Sequence, residues 1–423
     1  MRDILPDEVE LRDAAVVEIV GVYRAYGFRR IETPALESLR LLAGSEGGEN
    51  EKLIFKVMKR GDELEAARRA GDELADLGLR FDLTVPLARY YADNHARLPE
   101  PLKAIQIGPV WRAERPQKGR FRQFTQCDID VLGVGSPLVE IELILATTDA
   151  LTRLGLSGLT VRINDRRVLE VIARHCGFPE GAHGGFFIAF DKLDRLGADG
   201  VVTELREAGH DTEAVRRFAE LLPGLSPDKV SLDALRAALP GAAATDAWDA
   251  LATIIDTTNR EVAAGSRVRF DPTLVRGMGY YTGPIFEIAA AGYPSSIAGG
   301  GRYDRMIGRL LGRDVPASGF SIGFERLIAI LAERGGLPAP AATESAQQRV
   351  ALLVDETSDV AAAVRAAKAL RGEGYLVSLE IRRKNVKKQL DDLMTHGFWG
   401  HAAVDERGDR PEVKPLVRKA DAR

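Results

Sequence analysis

A dense group of positive charges lies between residues 112 and 122. The cations are Arg112, Arg115, Lys118, Arg120 and Arg122. Like charges at this spacing repel one another, so an anion or the solvent must compensate them. Glu114 lies among the arginines, where its carboxylate could accept a hydrogen bond from a purine amino group. Taken alone, the segment is either a solvated basic loop or a binding site for an anionic ligand such as a phosphate.

Polar side chains recur at every second position directly after this segment. Gln126, Asp128 and Asp130 have this spacing, so on a β-strand they share one face. Polar groups presented from the middle of a strand more often form the floor of a binding site than an exposed surface. We therefore expect this face to line a site.

Two further segments combine glycines with an arginine. Arg276 precedes Tyr280 and Tyr281, which are either core tyrosines in a turn or members of a site. Arg326 falls in the first turn of a helix predicted to begin near residue 323, where the helix macrodipole disfavours a cation. A bound phosphate would compensate this arginine, and a salt bridge to Glu325 or elsewhere is the alternative.

Several other chemistries have no motif in this sequence. The six histidines show neither i,i+4 spacing nor cysteine partners, so no metal site is predicted. There is no P-loop, and no Gly-x-Gly-x-x-Gly follows a strand near the start. No Ser/His/Asp or Cys/His constellation indicates a covalent nucleophile. A nucleotide, if one is used, must therefore be bound by other residues.

The elements that position these residues begin with a predicted β-hairpin. Apolar strands at 104–111 and 129–133 enclose the basic segment. Ahead of them, a helical period over residues 9–22 leads into an extended segment that contains Pro34. Residues 44–78 are polar and show no obvious core. The hairpin is therefore the element that carries the predicted site.

The remaining pattern predicts an α/β chain with an interrupted α+β core. A first part of the core, at 1–164, precedes a helical module at 165–262. The second part, at 263–335, includes a Gly-Gly-Gly-Arg turn expected at residues 299–302. After a Pro/Ala-rich linker, residues 345–423 alternate strand and helix as a compact α/β unit.

Length and composition suit an ordinary globular protein. A chain of 423 residues predicts about three domains. No stretch reaches the ~18 apolar residues of a membrane span, so no membrane partner is expected. The acidic N-terminal segment lacks the apolar stretch of a signal peptide, and two cysteines suit a reducing compartment, so a cytoplasmic location is expected.

The net charge of -4 argues against indiscriminate binding of nucleic acid, but the cations are concentrated locally. A second basic cluster is formed by Arg382, Arg383, Lys384, Lys387 and Lys388. This cluster is either the solvated start of a helix or a surface that contacts RNA phosphates.

Three segments together resemble the class II aminoacyl-tRNA synthetases. Arg-x-Glu before a basic loop, at Arg112, is similar to motif 2, and Gly-x-x-x-Gly-Phe-Glu-Arg, ending at Arg326, is similar to motif 3. Within the class, segments 79–89, 112–124 and 274–281 resemble the histidyl-tRNA synthetase family. The resemblance covers nearly the whole chain. It implies an antiparallel sheet with flanking helices, a helical insertion and a C-terminal anticodon-binding-like α/β domain.

The resemblance also implies an activity and its residues. The reaction would be ATP-dependent activation of histidine to histidyl-adenylate, with Mg²⁺, and transfer to the 3′ end of tRNA(His). The catalytic residues would be Arg276 and Arg112, near the α-phosphate. The ATP contacts would be Arg112, Glu114, Arg120, Phe124 and Arg326. The histidine pocket would contain Asp82, Thr84, Gln126, Asp130, Tyr280 and Tyr281. Contacts to tRNA would come from Gln117, Arg382, Arg383, Lys384, Lys387 and Lys388.

Two alternative functions remain open at this point, and the resemblance also implies a homodimer. A paralogue could be a non-catalytic regulatory subunit that senses histidine or tRNA, or an adenylating enzyme that passes the acyl group to a small-molecule acceptor. Thr125 and Gly279 depart from the family pattern. Segment 28–36, with Pro34, resembles motif 1, a dimer element, and implies a homodimer.

Overall fold

The computed structural model of the chain describes residues 1–44, 50–114, 121–239, 245–276, 279–293, 295–337, 348–404 and 411–416. Its helices are α1 Pro6–Ala25, α2 Leu39–Ala43, α3 Gly61–Ala70, α4 Thr84–Asn94, α5 Leu138–Arg153, α6 Arg166–Cys176, α7 His183–Phe190, α8 Leu193–Glu207, α9 Thr212–Leu221, α10 Leu232–Ala238, α11 Thr245–Glu261, α12 Asp304–Leu311, α13 Phe324–Glu333, α14 Val360–Gly372 and α15 Val386–Thr395. Its strands are β1 Arg29–Arg30, β2 Leu36–Ser38, β3 Lys56–Met58, β4 Ala75–Leu79, β5 Leu102–Trp111, β6 Gln123–Leu132, β7 Thr160–Asp165, β8 Arg267–Phe270, β9 Pro284–Ala289, β10 Ala298–Arg302, β11 Ala317–Gly323, β12 Arg349–Val354, β13 Leu376–Ile381, β14 Gly400–Ala403 and β15 Lys414–Pro415.

A large sheet forms the centre of the fold, in the strand order β1-β5-β6-β11-β10-β9-β7-β8. Its inner neighbours are antiparallel, and the edge pairs β1·β5 and β7·β8 are parallel. The predicted hairpin is confirmed, because β5 and β6 pair from Leu102↔Leu132 to Trp111↔Gln123. The predicted class, a mixed α/β fold with a mainly antiparallel sheet and flanking helices, is thus confirmed.

Helix α5 packs against this sheet and against α1 and is buried over most of its length. It carries two buried carboxylates, which are paired because an isolated charge is costly in a protein interior. Glu142 lies 2.6 Å from Lys103 of β5, and Glu140 lies 2.8 Å from Arg302 of β10. These pairs fix α5 to β5 and to β10 of the central sheet.

Helices α6 to α11 follow one another between β7 and β8. Aromatic side chains pack edge-to-face within them, as in the pair Phe186 and Phe218 with ring centroids 4.9 Å apart. The helical character expected for residues 165–262 is therefore present. The division of the chain into domains at those boundaries stays a prediction.

The C-terminal unit has the alternating pattern expected from the sequence. Strands β13, β12 and β14 are parallel, and β15 pairs antiparallel with β14. The unit contacts the core directly, because Arg371 stacks 3.4 Å from the ring of Tyr26 and Arg349 donates to the carbonyl of Gly27 at 2.9 Å. None of the described helices is both long and apolar enough to cross a membrane.

Two expectations about the core are wrong. Residues 299–302 are not a turn but part of β10, a buried strand in the middle of the central sheet. Residues 44–78 do contribute to the core, because Ile54 and Ala67 are buried. Strands β3 and β4 of this segment also form a small antiparallel sheet with β2.

Candidate active site

A cavity of about 480 Å³ lies over the middle of the central sheet. Strands β6, β10 and β11 form its floor, and the N-terminal ends of α4 and α13 and the segment after β8 form its walls. Every described residue to which the resemblance assigns a catalytic, ATP or histidine role lines it. These residues are Asp82, Thr84, Arg112, Glu114, Phe124, Gln126, Asp130, Arg276, Tyr280, Tyr281 and Arg326. Arg120 and Gln117 lie outside the described residues.

The floor of the cavity is flat because β10 and β11 contribute glycines. A Cβ atom on Gly319 would lie 1.9 Å from Oδ1 of Asp130, and one on Gly300 would lie 2.0 Å from the carbonyl oxygen of Gly319. A Cβ atom on Gly299 would lie 2.6 Å from Nη1 of Arg276. Side chains from neighbouring elements therefore occupy the space above these glycines.

Three carboxylates are buried side by side along this floor. Asp128 and Asp130 alternate on β6 with Gln126, and Asp82 precedes α4. Burial disfavours the charged carboxylate and raises the pKa of Asp82 to about 6 and that of Asp130 to about 7. Burial, with Asp130 nearby, also raises the pKa of Asp128 well above its usual value. The site therefore favours a cation or several N–H donors.

Two of these carboxylates, Asp82 and Asp130, each accept a hydrogen bond at one oxygen. Oδ1 of Asp82 accepts from the backbone N–H of Val85 at 3.1 Å, and Oδ1 of Asp130 accepts from the hydroxyl of Tyr303 at 2.5 Å. The other oxygen, Oδ2, is buried in both residues and has no hydrogen-bond partner among the described residues. Oε1 of Gln126 is also buried and has no hydrogen-bond partner among the described residues. Buried acceptors are normally satisfied, so these three atoms mark places for donors from a ligand.

Arginines surround the opposite part of the cavity. Arg112 donates to the carbonyl of Phe81 at 3.1 Å, and its guanidinium lies 5.0 Å from the ring centre of Phe124. Arg276 forms an ion pair of 2.5 Å with Glu287 of β9. Burial lowers the pKa of Arg276, but Tyr281 and Glu287 outweigh that effect, so the pKa is raised and the charge is retained. Planar guanidinium groups bind phosphate oxygens well.

Arg326 extends from the first turn of α13 and is exposed at the rim of the cavity. Its Nη1 donates to the backbone carbonyl of Ser296. The neighbouring Glu325 forms a two-point ion pair with Arg12 of α1, with both distances 2.7 Å. Glu325, the partner that the alternative suggested for Arg326, is therefore engaged by Arg12.

Sequence reasoning missed several residues of the site. Tyr303 follows residues 299–302, for which the sequence predicts a turn, so its place beside a strand is not apparent from the sequence. Glu287 lies on β9 with no motif around it. Arg12 pairs with Glu325, which is 313 positions away in the sequence. Asp128 was recognised by its spacing but was given no role. No sequence pattern indicates the Arg12 contact. The run of glycines before Tyr303, by contrast, is a signal that other groups approach the strand backbone closely.

The second basic cluster lies away from this cavity, at the end of β13 and the start of α15. Arg382, Lys384, Lys387 and Lys388 are exposed. Arg383 is half-buried, pairs with Asp392 at 3.0 Å and donates to the carbonyl of Glu100. The cluster is therefore mostly accessible, with one member engaged in contacts to the core. Across the described residues, no group of three or more His, Cys, Asp or Glu side chains is arranged to hold a metal ion.

Comparison with known proteins identifies the family of the chain. A family profile described as histidyl-tRNA synthetase matches residues 1–327. Histidine--tRNA ligase of Leifsonia xyli is 46% identical, with 99% of this chain and 97% of the relative covered. The probable histidine--tRNA ligase of Tropheryma whipplei is 40% identical, covering 99% and 98%. The crystal structure of histidyl-tRNA synthetase from Nostoc superimposes with a TM-score of 0.66 at 27% identity, covering 98% and 93%. The chain belongs to the histidyl-tRNA synthetase family.

Proposed function

We propose that the chain activates histidine with ATP and transfers the histidyl group to the 3′ end of tRNA(His). The proposal rests on three buried acceptors that have no hydrogen-bond partner among the described residues, in a cavity whose other part is lined by arginines. The three atoms are Asp82 Oδ2, Asp130 Oδ2 and Gln126 Oε1. Histidine supplies the N–H donors that the acceptors require, and ATP supplies the anions for the arginines.

The amino acid would bind along β6. Asp82 and Thr84, at the start of α4, would hold the α-amino group, and Gln126 lies beside them. Asp130, Tyr280 and Tyr281 would contact the imidazole. Of the imidazole nitrogens, the N–H donor needs an acceptor, and a carboxylate such as Asp130 provides one. The position of Tyr303 beside Asp130 would fix that carboxylate in place.

ATP would bind at the arginine-lined end. Phe124 would stack on the adenine ring and Glu114 would accept from its amino group. Arg112 would hold the α-phosphate, and Arg326, with Arg120, the γ-phosphate. Mg²⁺ would enter with ATP and neutralise part of the phosphate charge. These roles are assigned by similarity of position within the family.

The chemical step would be an attack by the histidine carboxylate oxygen on the α-phosphorus. A new carboxyl–phosphate bond forms, the bond to the bridging oxygen of the β-phosphate breaks, and pyrophosphate leaves with the bonding electron pair. Anion meets anion in this reaction, so the barrier is largely electrostatic. Arg112 and Arg276 would neutralise the charge that develops on the α-phosphate oxygens. The ion pair of Arg276 with Glu287 would position the guanidinium before ATP arrives.

A hydroxyl of the terminal ribose of tRNA would then attack the histidyl carbonyl, so that an ester bond forms, the acyl–phosphate bond breaks and AMP leaves. Gln117 would approach the acceptor end, and the cluster of Arg382, Arg383, Lys384, Lys387 and Lys388 would contact RNA phosphates. We also propose a homodimer, in a cytoplasmic location. The small sheet of β2, β4 and β3 exposes the apolar side chains of Leu36, Met58 and Leu77, which a second copy of the chain would cover. Analytical ultracentrifugation at micromolar concentration tests the homodimer.

The test is histidine-dependent exchange of pyrophosphate into ATP, followed by charging of purified tRNA(His). We expect both activities. Exchange driven by another amino acid would contradict the proposal. Exchange without tRNA charging would favour an adenylating enzyme with a small-molecule acceptor. Histidine binding without ATP binding, measured by calorimetry, would favour a regulatory subunit.

A further inference from the structure

A buried arginine on the first helix, Arg12, contacts two residues that line the candidate ATP site, Glu325 and Thr125. Arg12 is 8% exposed, and its guanidinium forms a two-point contact with Glu325, the second residue of α13. Both nitrogen–oxygen distances, Nη1–Oε2 and Nη2–Oε1, are 2.7 Å. This fork geometry fixes the direction of both groups as well as their distance. The contact therefore joins α1 to the beginning of α13.

Thr125 of β6 is the third member of this group, which we call the Arg12 cluster: Arg12, Thr125 and Glu325. Arg12 Nη2 donates to the hydroxyl of Thr125 at 3.0 Å, and the backbone N–H of Thr125 donates to Glu325 Oε1 at 3.0 Å. Each member thus contacts both of the others. Arg2 lies 3.9 Å from Glu325, but its own two-point contact is with Glu8.

The cluster continues the sheet where its backbone pairing ends. The register of β6 with β11 runs from Leu132↔Ala317 to Gln126↔Gly323, and α13 begins at the next residue. Thr125 therefore lies one residue beyond the last backbone pair on that side. The Glu325 carboxylate accepts its N–H in place of a strand carbonyl. Arg12 holds that carboxylate in the required orientation.

Two proposed ATP contacts are sequence neighbours of the cluster. Phe124, the proposed adenine platform, precedes Thr125, and Arg326, the proposed γ-phosphate contact, follows Glu325. Phe124 and Arg326 both line the cavity, on different elements. A displacement of Thr125 against Glu325 would change the separation of Phe124 and Arg326. Strand β5 pairs with β6 along its whole length, whereas the pairing of β6 with β11 stops at Gln126. On the side that faces α13, the N–H of Thr125 is therefore bound by Glu325 and not by a strand.

We infer that Arg12 is a positioning residue for ATP: through Glu325 and Thr125 it sets the distance between the adenine platform and the γ-phosphate contact. The inference rests on the proposed function, because it takes the ATP roles of Phe124 and Arg326 from there. Arg12 itself does not line the cavity and touches no substrate.

The test compares Arg12→Met with Glu18→Gln in the full chain, by histidine-dependent pyrophosphate exchange. Glu18 lies on the same helix and pairs at the surface with Arg153 at 2.9 Å, so it is the matched control. Loss of a charge-assisted contact predicts a rise in KM for ATP of roughly tenfold or more in Arg12→Met, with KM for histidine changed by less than about twofold. Arg12→Lys, which keeps the charge without the fork, should give an intermediate value. Glu18→Gln should leave both constants unchanged.

Further variants separate positioning from a loss of stability. If Arg12 acts through Glu325, the double variant Arg12→Met/Glu325→Gln should have a KM for ATP no higher than that of the worse single variant. Thr125→Val removes only the hydroxyl contact and should raise KM for ATP less, which keeps the inference testable should Arg12→Met fail to fold. A parallel rise in KM for ATP and histidine, or a lower melting temperature alone, would overturn it.

Direct calorimetric binding of ATP without histidine distinguishes the two levels of the argument. If the unmodified chain binds ATP but shows no exchange, and Arg12→Met weakens binding, the proposed function is wrong and the positioning role stands. If the unmodified chain shows exchange and Arg12→Met retains its affinity for ATP, the positioning role is wrong.

Discussion

The hydroxyl of Tyr303 lies 2.5 Å from Oδ1 of Asp130. Tyr303 follows the last residue of β10, and Asp130 lies on β6, with Gly319 of β11 between the two strands. A Cβ atom on Gly319 would collide with the carboxylate, so the glycine provides the space for this contact. The contact orients one carboxylate oxygen and leaves the other, Oδ2, buried and without a hydrogen-bond partner among the described residues.

We predict that Tyr303→Phe weakens histidine use and shifts its pH dependence. The Tyr303 hydrogen bond lowers the pKa of Asp130, which burial raises to about 7. Without the donor, the pKa rises further, so the acidic limb of kcat/KM for histidine should move to higher pH. A hydrogen bond to a charged group contributes about 1.5–3 kcal/mol, so KM for histidine should rise roughly tenfold or more near pH 7.

The measurement is the pH profile of histidine-dependent pyrophosphate exchange between pH 5.5 and 9, at about half-unit steps. Free histidine also titrates in this range, but its contribution is the same for both proteins and cancels in their ratio. Tyr375→Phe, in the C-terminal unit, is the control and should leave the profile unchanged. An unshifted acidic limb in Tyr303→Phe would contradict the role of the hydroxyl.

A second prediction concerns stability. Asp130 has a folded pKa of about 7, above its ordinary value of 3.8. Between these values the folded state binds a proton that the unfolded state has lost, so the free energy of unfolding falls as pH rises. Asp130→Asn removes this titration. We expect the variant to match the unmodified chain at about pH 4 and to be more stable, by on the order of a few kcal/mol, at pH 8.

Thermal unfolding without ligands, at both pH values, measures the effect. The gain in stability should be accompanied by loss of histidine-dependent exchange, because the amide also presents donors to the imidazole. A difference in melting temperature that is the same at both pH values would show that packing, not ionisation, is responsible. Such a cost of function is typical of an active site built from buried charges.

The sequence predicted those parts of the site that depend on local order. The alternation of Gln126, Asp128 and Asp130 placed them on one face, and the apolar strands around the basic segment predicted the β5–β6 hairpin. Both follow from the period of a strand, which is a property of neighbouring residues. The assignment of individual roles came from the resemblance to the family and not from spacing.

Long-range contacts explain what could not be predicted. The glycines at 299–301 were interpreted as a turn because glycine favours turns. In the structure they mark close approach, since Arg276, Phe286 and Tyr281 occupy the space where their side chains would lie. Similarly, the small sheet of β2, β4 and β3 buries too few apolar residues to show a period. Such features depend on which helices and strands pack against one another, and a local sequence pattern does not predict that packing.

We next predict that Arg276→Ala abolishes most of the exchange activity. The guanidinium is placed by its 2.5 Å ion pair with Glu287, and loss of a charge stabiliser at the reacting centre typically costs about 10²–10³ in kcat. Glu287→Gln keeps the size of the partner but removes its charge, so it should reduce kcat less, by roughly tenfold.

Single-turnover formation of histidyl-adenylate measures both variants without interference from product release. Arg269→Ala is a suitable control, because this arginine is on β8 and pairs with Asp228 away from the cavity. Full activity in Arg276→Ala would remove this residue from the chemical step. A Glu287→Gln variant as inactive as Arg276→Ala would indicate that Glu287 itself has a direct role.

The last prediction separates tRNA binding from activation. Lys387 and Lys388 are exposed in the first turn of α15, whereas Arg383 also joins the C-terminal unit to the core through the carbonyl of Glu100. The two lysines can therefore be replaced without disturbing that contact. We expect Lys387→Gln/Lys388→Gln to raise KM for tRNA and to leave histidine-dependent exchange unchanged, because the active-site cavity does not include them.

Salt dependence gives the sharper readout. Each lysine that contacts a phosphate contributes a slope of about 0.9 or less in the plot of log affinity against log salt, so loss of both should reduce the slope by roughly 1–2. The double variant Arg216→Gln/Arg217→Gln removes two exposed cations of α9 and is the control for net charge. An unchanged slope with unchanged KM for tRNA would place the RNA surface elsewhere, because removal of a phosphate contact must release fewer counterions.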